Sequence, residues 1–199
     1  MYIPKHNAFF IHIPKTGGNS IEFYFLREML VEVSTENSVS VFNNHRELLI
    51  GTQNGVQSAH YTAQQLQDSE KFVQSDYRFT IVRHPVQRFL SEHTWRQNNG
   101  KKMSVSKLLD ALVAQKDPRL LSSWEYCTVN NKLCVDEVFR LEDIPHMERT
   151  LCKQFGINFE MPHDNKSSVS KPQLTPEQLD IIHSVWIKDF EEFGYEIDQ

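Results

Sequence analysis

The sequence predicts an α/β fold: one domain over residues 1–199, built in three layers around a central, mostly parallel sheet flanked by helices. Three observations carry this. Short apolar runs alternate along the chain with stretches of helical periodicity. Two of those runs, at residues 8–13 and 77–82, pass through a polar turn directly into a helix. A chain of 199 residues with 39% hydrophobic content can also bury one sizeable core.

The first run, Ala8 to Ile13, is a buried strand stopped by Pro14. A glycine-bearing turn, Lys15 to Ser20, follows it. Ile21, Phe25, Met29 and Val33 then lie on one helical stripe, with Leu26 and Leu30 beside them. Residues 34–57 are rich in Ser, Asn and Gln and are expected to form a long loop or poorly ordered excursion, with a substrate-facing lid as one reading. Thr62 suits the N-cap of a short helix. Tyr77–Val82 is the next strand, and Pro85 opens a helix with Val86, Phe89, Leu90 and His93 on one face. Ser104 or Ser106 caps a helix carrying Leu108, Leu109, Leu112 and Val113.

Tyr126–Val129 and Lys132–Val135 read as a hairpin, since Asn130-Asn131 tolerates the positive φ that a two-residue turn demands. Val138–Leu141 is a further strand. A helix with Met147, Leu151 and Phe155 ends at Gly156. Thr175-Pro176-Glu177-Gln178 is a capping box opening one last helix through Leu179, Ile182, Trp186 and Phe190.

The formal charge of −5 argues against a nucleic-acid partner, although a local basic pocket is compatible with it. No run reaches the roughly 20 apolar residues of a membrane span, and no secretory leader is legible at the start, so the expected compartment is the cytoplasm. Cys127, Cys134 and Cys152 are too few for a disulfide scaffold, and their spacing suits no structural zinc site. Cys127 and Cys134 flank the expected hairpin turn and can face each other, with reduced thiols the favoured state. No cluster of His, Cys and Asp has metal-ligand spacing. The oligomeric state is not legible.

A strand that runs through a glycine turn into a helix aims several backbone N–H groups and a helix dipole at one point, which favours an anion. Gly17 and Gly18 permit close backbone approach, Lys15 adds a charge, and Thr16, Asn19 and Ser20 add donors. The lysine precedes the glycines, unlike the order of the nucleoside-triphosphatase loop, so the magnesium-binding hydroxyl of that loop is out of place. Arg83 stands at the end of the second strand and so shares the rim where parallel sheets bind ligands; its planar fork suits phosphate. Arg88 is a further candidate contact, and Ser91 follows on the helix.

Together, Ile13 to Ser20 and Phe79 to Ser91 resemble the 5'-phosphosulfate and 3'-phosphate motifs of sulfotransferases that use 3'-phosphoadenosine 5'-phosphosulfate (PAPS). The likeness is to the family whose Golgi members sulfate carbohydrates, with soluble bacterial cousins. It extends more weakly through His60-Tyr61-Thr62-Ala63, Val135–Asp143, Pro162–Ser167 and Asp189–Tyr195. The resemblance implies a P-loop-like version of the three-layer fold. It also implies that backbone N–H groups from Thr16 to Ser20 hold the 5'-phosphate, with Lys15 beside the oxygen bridging phosphorus and sulfur. Arg83 and Ser91 would bind the 3'-phosphate, and Asn165, Lys166 and Ser167 would belong to a loop closing over the nucleotide.

An attacking hydroxyl must lose a proton, and a histidine is suited to take it. His60 has the best position of nine histidines, and the resemblance supports it. His12 is expected to be structural, facing core or rim. His84 either meets the nucleotide or caps its helix, and His163 is a secondary candidate. Glu22 is a candidate for acid–base or orienting work, against the commoner outcome of a helix-surface glutamate. The expected partner is a hydroxyl-bearing acceptor, carbohydrate by resemblance, with a lipid, small phenol, metabolite or peptide tyrosine also open. A nucleotide-dependent kinase and an inactive nucleotide-binding protein are the competing readings.

Overall fold

The computed structural model describes residues 1–29, 60–161 and 171–197. In chain order the strands are β1 (Tyr2–Ile3), β2 (Ala8–Ile11), β3 (Tyr77–Val82), β4 (Thr128–Val129), β5 (Lys132–Leu133) and β6 (Glu137–Arg140). The α-helices are α1 (Gly18–Glu28), α2 (Ala63–Leu66), α3 (Glu70–Val73), α4 (Pro85–Asn98), α5 (Val105–Ala114), α6 (Ser123–Cys127), α7 (Ile144–Phe155), α8 (Pro176–Val185) and α9 (Ile187–Phe193).

The central sheet has the order β1-β2-β3-β6. β3 lies between β2 and β6 and is parallel to both, while β1 adds an antiparallel edge. Alternation along the strands separates the two faces. Ala8, Phe10, Phe79, Ile81 and Phe139 pack with Ile21, Phe25 and Leu26 of α1 and Met147 and Leu151 of α7. Phe9, Ile11 and Val82 turn the other way, onto Leu66, Phe72 and Tyr126. A third cluster joins α4, α5, α8 and α9 through Phe89, Leu108, Leu112, Ile182 and Trp186. The result is the expected mixed, mostly parallel sheet between helical layers. Among the described residues, no helix is long and apolar enough to cross a membrane.

Most expected elements form, for the expected local reasons. Thr62 and Thr175 each complete a capping box, and Ser104 rather than Ser106 caps α5 by accepting from the Lys107 amide. Gly156 ends α7 at φ 65°.

Three features differ. Tyr126 and Cys127 are helical, not strand, so the hairpin shrinks to β4 and β5 around Asn130 and Asn131, at φ 50° and 62°. The cause is a capping box at Ser122, reinforced by Asp189, whose carboxylate accepts from the Ser123 and Trp124 amides at 2.8 Å each. The last helix breaks at Trp186, whose indole N–H donates to the Leu120 carbonyl at 2.9 Å while its backbone leaves helical geometry. Val113 is exposed, so the apolar stripe of α5 consists of Leu108, Leu109 and Leu112. The three cysteines are free, and Cys134 meets Cys127 through its amide N–H to the Cys127 carbonyl. Residues 34–57 lie outside the described residues.

Candidate active site

β2 and β3 are parallel neighbours in register Ile11 to Thr80, so the chain leaves both strands at the same edge. Lys15 follows one strand and Arg83 the other. The Arg83 guanidinium donates from Nη1 to the Lys15 carbonyl at 3.3 Å. The cradle and the strand-end arginine, far apart in sequence, therefore form one rim.

The turn itself is tightly made. Lys15 has φ 69° and Gly17 φ 86°, so the chain reverses through left-handed geometry before α1 begins at Gly18. At Gly17 a Cβ would fall 2.9 Å from Leu141 Cδ1, and at Gly18 it would overlap the His12 ring. Only glycine fits both positions. The Thr16 hydroxyl donates to the Ile13 carbonyl at 2.9 Å, so this buried side chain locks the turn instead of facing a ligand. The Ser20 amide donates to the Gly17 carbonyl at 3.1 Å and is thus engaged within the turn itself. Ser20 is buried and Asn19 is exposed.

Lys15 is partly buried, with its ammonium 5.8 Å from the centre of the Trp95 ring. Burial draws its pKa down to about 8, Glu92 opposes that shift, and the positive charges of Arg119 and Arg83 add to it. The Arg83 pKa is likewise lowered by burial, with Glu142 as the main opposing charge. Ser91 is partly buried on α4.

His60 sits at the same rim. Its Nδ1 lies 3.0 Å from the His12 carbonyl oxygen, and a carbonyl can only accept. Nδ1 therefore carries the proton and Nε2 is left basic. Burial, then the neighbouring His12 ring and the guanidinium groups of Arg119 and Arg88, draw the His60 pKa well below its ordinary value. At neutral pH the imidazole is uncharged, as a proton acceptor must be.

Several candidates take other roles. Arg88 is not a phosphate contact: it is fully buried and donates to the carbonyls of Pro14, Arg119 and Leu121, at 3.1, 3.4 and 2.7 Å. Asp189 lies 3.7 Å from it, and Trp186 stacks on its guanidinium at 4.6 Å. Glu22 is not on the helix surface but only 1% exposed, beside His12. The His84 ring packs on Tyr195 and Phe190, and its side chain does not cap α4. His163, Asn165, Lys166 and Ser167 lie outside the described residues. No group of His, Cys, Asp and Glu among the described residues could hold a metal ion.

Two cations of the rim have no signature in the sequence. Arg119 grips Glu92 through two bonds of 3.0 Å, stacks 4.1 Å from the Trp95 ring centre and acts electrostatically on both Lys15 and His60. Lys171 donates to Gln87 at 2.7 Å, and burial followed by the Arg83 charge lowers its pKa. Arg83 and Lys15 are foreshadowed by strand-end spacing, whereas Arg119 lies in a short 3-10 turn, Pro118–Leu120, and Lys171 in an irregular segment, both brought in by tertiary packing.

The family model of the sulfotransferases matches residues 1–196. The chain belongs to the sulfotransferase family. Members of this family are transferases that take the sulfuryl group from PAPS, and the match covers nearly the whole chain. No curated protein matches the chain significantly. The residues present suit a ligand phosphorylated at both ends. Two glycines clear the space that Cβ atoms would fill, and the charge of Arg83 acts on both Lys15 and Lys171.

Proposed function

We propose that this sulfotransferase moves the sulfuryl group of PAPS to a hydroxyl of a carbohydrate or small metabolite, with His60 as general base and Lys15 at the leaving phosphate. The observation that supports this best is the convergence of Lys15, Arg83 and His60. Arg83 is bonded to the Lys15 carbonyl, and His60 is held through Nδ1 by the His12 carbonyl. In the reaction the acceptor oxygen bonds to sulfur as its proton passes to His60 Nε2. The bond between sulfur and the bridging oxygen breaks, and Lys15 stabilises the negative charge left on that oxygen. Backbone N–H groups of Thr16, Gly17, Gly18 and Asn19 hold the 5'-phosphate. Arg83 and Ser91 hold the 3'-phosphate, which separates this ligand from ATP, and Lys166 contributes from the loop assigned to the nucleotide by resemblance.

Thermal melting tests the donor reading directly. Adenosine 3',5'-bisphosphate at a hundredfold excess over its Kd stabilises by about 2.7 kcal/mol. That raises Tm by several degrees, while ATP with magnesium does much less. Equal shifts for the two ligands would reject the assignment of Arg83 and its neighbours to a 3'-phosphate. A screen of hydroxyl compounds with sulfur-labelled PAPS then identifies the acceptor.

A further inference from the structure

The side chains of His12 and Glu22 are left without a task by the scheme above, yet both are nearly inaccessible, at 5% and 1% exposure. His12 Nδ1 and Glu22 Oε1 lie 2.9 Å apart, out of line for a hydrogen bond. Neither that nitrogen nor either Glu22 oxygen has a hydrogen-bond partner among the described residues. Burying a carboxyl group without donors is costly, so this pair is a poor choice for packing alone.

The surroundings of the His12 ring say what it does. Gly18, on the floor of the cradle, has no Cβ because the ring occupies that space. Glu22, one turn further along α1, flanks Nδ1. Phe10 stacks on the ring at 5.7 Å. Its remaining edge meets the His60 ring, with centroids 4.4 Å apart and planes at 78°. The carbonyl of the same residue takes the His60 Nδ1 proton. His12 thus touches His60 twice, through backbone and ring, and is itself clamped by Glu22 and by the cradle.

We propose that His12, backed by Glu22, is a positioning residue that fixes the tautomer and tilt of His60 relative to the phosphosulfate cradle. The proposal rests on the reading of His60 as the base. Glu22 acts on the His12 ring, the ring sets the plane of His60, and the His12 carbonyl selects the form with Nε2 unprotonated. The proton taken from the acceptor then enters at a defined point, and a misplacement of about 1 Å would cost on the order of a hundredfold in rate.

The experiment uses the full chain and three variants, Glu22→Gln, His12→Ala and His60→Ala. Three quantities are measured: affinity for adenosine 3',5'-bisphosphate, kcat for release of sulfate from PAPS with water as acceptor, and the nitrogen-15 imidazole spectrum. The unmodified protein is expected to show His60 in one form, with the proton on Nδ1. Glu22→Gln and His12→Ala should lower kcat at least about tenfold and mix the His60 tautomers, with bisphosphate affinity changed less than about threefold. If both keep kcat within twofold while His60→Ala is inactive, the positioning role is overturned and the base survives. If kcat and affinity fall by the same factor, the pair is merely structural and the proposal is overturned. An active His60→Ala rejects the base itself, and the proposal with it. Should neither variant fold, the unmodified spectrum decides, and a His60 protonated on Nε2 or present as a mixture overturns the proposal.

Discussion

Lys15 must be charged to stabilise a leaving phosphate, and burial has drawn its pKa down to about 8. His60 must be neutral to accept a proton, and its pKa lies well below the ordinary histidine value. The two requirements set the limbs of the pH profile. With the free enzyme reported by kcat/KM, activity should fall as pH rises through about 8, when Lys15 loses its proton. The acid limb should lie well below pH 6.5, leaving a plateau across neutrality. An alkaline limb that stays put in Lys15→Arg would show that another group sets it. The same lysine opposes folding. Its folded pKa is depressed, so between about pH 8 and 10.5 the unfolded chain binds more protons and stability rises with pH. Below about 8 the desolvation cost is fully present. Lys15→Met should therefore raise Tm by about 2–4 °C at pH 7, a gain of about 1 kcal/mol, while turnover is lost. A lower Tm would mean that the contacts with Trp95 and Glu92 outweigh the desolvation.

At the scale of elements, the start of α1 depends on a histidine in the preceding chain. Gly18→Ala should be more harmful than an ordinary helix-start alanine, because its Cβ would overlap the His12 ring. Loss of at least about 1 kcal/mol is expected by denaturant titration, with weaker bisphosphate binding. If His12→Ala restores that binding in the double variant, the clash is confirmed as the cause; an unaffected Gly18→Ala would deny it. The elements legible in the sequence were those with local causes: β3 from its apolar run, α4 from Pro85, α2 and α8 from their capping boxes. α6 was misread as strand because Tyr126 to Val129 is β-prone, and the carboxylate that caps the helix belongs to distant Asp189. β1, of two residues, is too short to leave a pattern and exists through its pairing with β2.

Across the whole molecule, the acidic chain gathers cations at one rim, at Lys15, Arg83, Arg119 and Lys171. Half of that rim was readable from motif spacing. Arg88 was mistaken for part of it because position on a helix does not reveal which way a long side chain turns; here it turns inward to three carbonyls. Glu22 was hidden for the same reason: at a helix start, only the packing of β2 against α1 shows that it is enclosed. Breaking the buried pair by Asp189→Ala should cost about 3–5 kcal/mol, since Arg88 loses its charge partner and α6 its cap. A chemical-denaturation midpoint close to that of the unmodified protein would show the pair to be dispensable.

That pair has a consequence for biosynthesis. Arg88 holds the Pro14 carbonyl, just ahead of the cradle, and Asp189 holds Arg88. The ribosome makes the phosphate-binding turn, at residues 15–20, well before it makes Asp189. A nascent chain that already contains both strand-end motifs still lacks the carboxylate that seats its central arginine. Nucleotide capture should therefore await the synthesis of Asp189, not accompany the emergence of the two motifs.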